Sequence, residues 1–256
     1  MLGALLLAGR ACLRSGVGLA RLALPESQMG IPPIAVPEAT SLALPEEDGV
    51  LCKGALEKAL EACGGADAVG FGMGLRTLGS ASEFARAFVA SCPLPLVLDA
   101  DGLNAFAGRP EELKEREAPT ILTPHPGEAA RLLGLPGGRE VQRDREGAAR
   151  ALASSTGAVV VLKGAGTLVC EGARLERNAT GNPGMATGGS GDVLTGICTG
   201  LLAQGMPAFD AARLAVWAHG RAGDLAAAEG SRAGLIASDL VSHLPRVWAE
   251  REGSCS

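Results

Sequence analysis

The stretch Gly181-Asn182-Pro183-Gly184-Met185-Ala186-Thr187-Gly188-Gly189-Ser190-Gly191-Asp192 constrains this chain most: five of its twelve residues are glycine, and a helical pattern begins where it ends. Leu194, Ile197, Cys198, Leu201 and Leu202 follow at i, i+3, i+4, i+7 and i+8, the spacing of a buried helix. Glycines let backbone amides crowd round one point, and a helix start adds unpaired N–H groups and a positive dipole end. Together they make an anion site suited to phosphate. Asp192 at its mouth would repel a phosphate, but makes sense as a base facing a hydroxyl that attacks phosphorus. The alternative is a helix N-cap, for which aspartate is favoured.

Other candidate residues stand where short apolar runs end. Ala66 to Gly70 reads as a strand closing in Gly70-Phe71-Gly72-Met73-Gly74, either a tight turn or backbone brought close to a ligand. Pro95 to Asp99 is nearly continuous in apolar residues, as in strands buried on both faces of a parallel sheet. It opens into Asp99-Ala100-Asp101-Gly102-Leu103-Asn104, whose carboxylates suit a water-held magnesium ion, while Asp101 equally suits a cap. Strand Thr120 to Thr123 runs into Pro124-His125-Pro126-Gly127-Glu128. A histidine between two prolines fits neither a helix interior nor a central strand. It belongs to a rigid loop at the C-terminal edge of the sheet, where α/β proteins bind ligands, or is a surface histidine of no consequence. Ala158 to Lys163 is another buried strand, broken by Gly164-Ala165-Gly166-Thr167, and Lys163 either reaches a phosphate or snorkels to solvent. Thr167 to Cys170 and Ala173 to Arg177 are expected to pair as a hairpin across Glu171-Gly172.

Helices are expected from Leu2 to about Arg14, over Leu51 to Ala62, Ser80 to Ala90, 139–156, around Leu214 to Leu225 and over 238–250, with a strand from Val17 to Leu24. His219, beside the Leu214 stripe, reads as structural. Alternating strands and helices without a repeat or linker mean one α/β domain with a mostly parallel sheet. Net charge of −5, few aromatics and no tyrosine argue against a nucleic-acid partner. Seven scattered cysteines without a CxxC argue for free thiols in a reducing compartment and against zinc. No apolar run is long enough to span a bilayer, and no positive charge precedes Leu2 to Ala8 as a signal peptide would require. A cytoplasmic location is therefore expected.

Leu98 to Asn104, Thr123 to Glu128, Leu162 to Thr167 and Gly181 to Asp192 occur in the same order in the NAD(P)H-hydrate dehydratases, which the chain resembles from Gly3 to about His243. The resemblance implies a ribokinase-like fold: a mostly parallel central sheet flanked by helices, related to small hydroxyl kinases. It implies a carbon–oxygen lyase of metabolite repair. Hydrated NADH or NADPH carries a hydroxyl on C6 of its reduced ring; family members phosphorylate it with ADP or ATP, phosphate leaves, and NAD(P)H is regenerated. By matching position Asp192 would be the base, Gly191 would lie against the nucleotide phosphate, and Lys163, Gly164, Ala165, Gly166 and Thr167 would hold the AMP part. Ala4, Gly72, His125 and Asp192 would meet the hydrated dinucleotide. Mg2+ would accompany the nucleotide, with no metal held by the protein alone. An epimerase, separate or fused, and a homo-oligomer are the implied partners.

Family members begin with a strand and a glycine-rich loop ahead of the Gly-Ala that matches Gly3-Ala4. A single domain over residues 1–256, lacking its first core strand, is therefore expected. The alternative functions are a small-molecule hydroxyl kinase of the same fold and a nucleotide-binding remnant without turnover.

Overall fold

The computed structural model describes residues 2–76 and 80–253. Helix α1 (Leu2–Leu13) leads to strand β1 (Arg21–Pro25), a short α2 (Pro32–Ala35) and β2 (Thr40–Leu44). A small antiparallel pair, β3 (Glu46–Glu47) and β4 (Val50–Leu51), precedes α3 (Leu56–Cys63). Then come β5 (Val69–Phe71), α4 (Ser80–Ser91), β6 (Leu96–Leu98), α5 (Ala100–Asn104), β7 (Thr120–Leu122), α6 (Pro126–Leu133), α7 (Gly138–Arg143), α8 (Arg145–Thr156) and β8 (Val159–Leu162). The hairpin β9 (Leu168–Glu171) and β10 (Arg174–Arg177) and the helices α9 (Ser190–Ala203), α10 (Ala208–Glu229) and α11 (Ala237–Glu252) follow.

Among the described residues the main sheet has the order β10-β9-β8-β7-β6-β5. β5 to β8 are parallel, and β9 and β10 add antiparallel strands at one side. Both faces are covered, because successive side chains of a strand point to opposite sides. Leu96, Leu98, Leu122, Val160 and Leu162 pack with the apolar residues of α3, α4, α6 and α8. Val97, Ile121, Val159 and Val161 pack against α9, α10 and α11. The continuous apolar runs read from sequence are thus explained: each residue of these strands has a core to enter.

β1 and β2 form a separate parallel pair. Between β1 and the β5 edge lies a cavity of about 800 Å3, lined by Leu22, Leu24, Val69, Phe71, Leu5 of α1 and Phe88 of α4.

Several expectations need correction. The strand placed at Val17 to Leu24 is Arg21 to Pro25, because pairing with β2 begins only at Arg21 opposite Thr40. The helix expected over Leu51 to Ala62 is a 3-10 turn at Lys53–Ala55 followed by α3. The helix expected over 139–156 is broken at Asp144, whose carboxylate takes the amide of Gly147 and caps α8. The hairpin turns one residue later, at Gly172-Ala173, where Gly172 has φ +54°. The six described cysteines are free thiols.

Candidate active site

The glycine stretch does start a buried helix. Gly189, at φ +87°, is the residue before α9; a side chain there would be strained by the left-handed backbone and would have to displace the Leu7 side chain of α1, 2.5 Å from the Cβ position. Asp192 is therefore the third residue inside the helix and makes no capping bond, which removes the N-cap alternative. The amides of Gly191 and Asp192 belong to a first turn that has no intrahelical acceptors.

Neighbours fix this helix start. His219 of α10 lies 2.8 Å from the carbonyl oxygen and 3.1 Å from the hydroxyl of buried Ser190 through Nε2. Burial pushes its pKa down to about 4, so the ring is a neutral structural anchor, as its sequence position suggested. Asn182 donates to the Gly223 carbonyl and to Asp224, and the Gly181 amide donates to Asp224, tying the loop to α10.

The half-buried Asp192 carboxyl is pushed up to about 6, chiefly by burial and then by the nearby Asp99; Lys163 pulls it down and Glu128 raises it. These neighbours form a network at the C-terminal ends of three strands. Asp99, 2% exposed, follows β6. Its Oδ1 lies 2.7 Å from Lys163 Nζ, and its Oδ2 accepts from the Thr195 hydroxyl at 2.8 Å. Lys163 Nζ is also 3.7 Å from Glu128 Oε2. Burial alone would lower the Lys163 pKa, but the Asp99 and Glu128 carboxylates outweigh it and hold it raised. A Cβ on Gly191 would come within 3.3 Å of Lys163 Nζ, so the ammonium lies directly beneath the helix start.

Glu128 Oε2 accepts the amide of His125, and His125 Nδ1 accepts the amides of Gly127 and Glu128, which completes a reciprocal cap on α6. That bonding decides the tautomer. With Nδ1 an acceptor, and the pKa lowered chiefly by burial, the proton is on Nε2 of a ring whose side chain is 48% exposed. Proline on either side keeps the loop rigid.

Gly72, at φ +113°, lies against the turn that follows β6: a Cβ would sit 2.7 Å from the Gly102 amide and collide with the Asp99 carbonyl. Ala4 is on the same face of α1 as Leu7, which abuts Gly189. The Lys163 to Thr167 turn presents exposed Gly164 and Ala165, and the Thr167 hydroxyl closes it onto the Gly164 carbonyl.

Sequence reasoning missed two residues. Arg145 of α8 donates to the carbonyls of Leu162, Lys163 and Gly166 and so clamps that turn; in sequence it is one charge among many on a polar helix. Thr195 lay inside an apolar helical stripe with nothing to mark it. Of the two carboxylates read as a water-held ion site or a cap, Asp99 is engaged by the protein itself, through Lys163 and Thr195. Asp101 accepts the Arg76 amide and faces Asn104. Among the described residues no group of three or more His, Cys, Asp or Glu could hold a metal ion. No helix among them is long and apolar enough to cross a membrane.

Doubly covered parallel strands, with a glycine-started helix at their C-terminal ends, define a ribokinase-like α/β protein. A ribokinase-like protein from Enterococcus faecalis superposes with a TM-score of 0.80 at 25% identity, over 97% of this chain and 82% of that one. The chain belongs to the NAD(P)H-hydrate dehydratase family, whose model matches residues 1–246. It is 40% identical over 252 residues to the bifunctional NAD(P)H-hydrate repair enzyme Nnr of Moorella thermoacetica, covering 98% of this chain and 47% of that protein. It thus spans about half the length of the curated relatives it matches. The structure of an ADP/ATP-dependent NAD(P)H-hydrate dehydratase from Bacillus subtilis, co-crystallized with ATP and Mg2+, matches at a TM-score of 0.80 and 34% identity, over 98% of this chain and 85% of that one.

Proposed function

We propose that this protein returns hydrated NADH and NADPH to NAD(P)H by nucleotide-dependent dehydration, with ADP or ATP as phosphoryl donor. The observation that carries the reading is Asp192, placed inside the first turn of a glycine-started helix in a chain of the dehydratase family. A carboxylate there has no capping duty, and against a bound phosphate it has a use as a proton acceptor.

In this reading the donor's terminal phosphate lies at the amides of Gly191 and Asp192, with the Lys163 ammonium beneath. The substrate's C6 hydroxyl gives its proton to Asp192 as its oxygen bonds to phosphorus. The bond to the bridging oxygen breaks, and its electron pair leaves on AMP or ADP. The ester then departs from C6 as inorganic phosphate, pushed by the ring nitrogen, and loss of a C5 proton restores the ring double bond. The Lys163 to Thr167 turn, with Gly191, is assigned to the nucleotide. Ala4, Gly72 and the Nε2–H of His125 are assigned to the dinucleotide. Mg2+ enters as the ion carried by the nucleotide phosphates. The bifunctional relatives motivate an epimerase companion, and the family reading a cytoplasmic homo-oligomer.

The test is incubation with hydrated NADH or NADPH, ADP or ATP, and Mg2+, following NAD(P)H absorbance and free phosphate together. Both should rise in step. A stable phosphorylated product without phosphate release would mark a hydroxyl kinase, and nucleotide binding without either signal a protein that does not turn over.

A further inference from the structure

Resting on the activity proposed above, we infer that Asp99 is a positioning residue for it: its buried carboxylate ties α9 to the ends of β6 and β8, and so fixes Asp192 and the helix-start amides against the His125 and Lys163 loops.

Asp99 is joined to partners 64 and 96 residues away along the chain, one through each carboxylate oxygen. The Thr195 end lies three residues past Asp192, on the same side of α9. The Lys163 end continues to Glu128, and Glu128 holds the His125 amide. The main chain of Asp99 is engaged as well, with its amide on Phe71 and its carbonyl under Gly72 and Gly102. Asp99 therefore touches the Gly72 turn, Lys163 and α9 directly, and reaches the His125 loop through Lys163 and Glu128. A buried ion pair is a costly way to hold a strand, since an apolar side chain would bury β6 without desolvating a charge. An apolar side chain would not reach across to α9 and β8 together.

Asp99 also acts on Asp192 through its charge. Among the described residues the charged groups that bear on Asp192 are Asp99, Lys163 and Glu128, and after burial itself Asp99 raises its proton affinity most. Removing its charge should make Asp192 more acidic.

The experiment compares wild type, Asp99→Asn and Thr195→Val. One arm follows kcat and KM against pH; the other follows the Asp192 carboxyl carbon by NMR titration, which needs no turnover. Asp99→Asn should lower kcat by roughly 10–100-fold, the scale of a misplaced reacting group. Its nucleotide KM should stay within about threefold, because the loss falls on the transition state. Its acid limb, and the titration of Asp192 from about 6, should both move to lower pH. Thr195→Val, which keeps the charge, should lower kcat and leave the limb in place; it also serves if Asp99→Asn does not fold. Variants with kcat within about twofold of wild type, or an Asp192 titration unmoved in Asp99→Asn, would overturn the inference. A wild type inactive on hydrated NAD(P)H, with an Asp192 titration that still moves in Asp99→Asn, would sink the proposed activity and keep the tie between Asp99 and Asp192.

Discussion

Gly72 lies against the Asp99 carbonyl so closely that a Cβ there would overlap the oxygen and stand 2.7 Å from the Gly102 amide. Both obstacles are backbone, which cannot swing aside as a side chain would. Gly72→Ala should therefore cost about 1–3 kcal/mol from overpacking, and more from its φ of +113°. Urea denaturation gives the value, and a variant as stable as wild type would contradict the close approach.

Asp192→Asn should lower kcat by ~10²–10⁴-fold while nucleotide affinity holds or tightens, since a negative charge near the phosphates is gone. The helix start should survive, because Gly189 and not Asp192 precedes α9. The wild-type kcat should fall below about pH 6, where Asp192 takes up its proton. The folded-state pKa is raised from 3.8, so the native state binds more protons than the unfolded state between 3.8 and about 6. Stability should accordingly decline as pH rises through that window, and Asp192→Asn should flatten the decline. Full turnover by a folded Asp192→Asn protein would end the assignment.

Lys163→Met removes the one ammonium that Asp99 and Glu128 share. Loss of its charge-assisted contact to the nucleotide should weaken nucleotide binding by on the order of 1.5–3 kcal/mol, seen by calorimetry. The network adds a stability cost of about 3–5 kcal/mol for an uncompensated buried charge. Asp99→Asn combined with Lys163→Met should recover much of it, which a double-mutant cycle reads directly. Strict additivity of the two changes would count against the pair.

His125→Asn keeps a side chain able to cap α6 and removes the Nε2–H. It should raise KM for hydrated NAD(P)H more than for the nucleotide, with a melting temperature near that of wild type. His125→Ala should show the same kinetic change and also lose about 0.5–2 kcal/mol with the cap. Equal effects on the two KM values would leave His125 with the cap alone.

The cavity between β1 and β5 offers two strand edges and an apolar lining to a chain segment of matching shape. A designed apolar strand and glycine turn, fused ahead of Met1, should raise the melting temperature by at least about 4 °C, equivalent to ~1–2 kcal/mol in a domain of this size. An unchanged melting temperature would mean that the gap does not accept a strand.

Sequence alone determined the features that depend on neighbours a few residues apart. The glycine run before Leu194 placed a helix start, the prolines placed His125 on a rigid loop, and unbroken apolar runs placed doubly covered strands. Residue order and φ preferences decide such things within a turn or two of chain. The same local view could not choose between Asp192 as a cap and as a base, or say what Lys163 touches. Those answers depend on sheet order, which brings β8 and β6 to either side of β7, and on α9, which packs against β5 and β6 with its start near the C-terminal end of β6. Only there do Asp99, Lys163 and Thr195, 64 and 96 residues apart, come within hydrogen-bond reach. The tertiary structure decided their chemistry because burial strips water from these charges, and each must then find its partner across the fold.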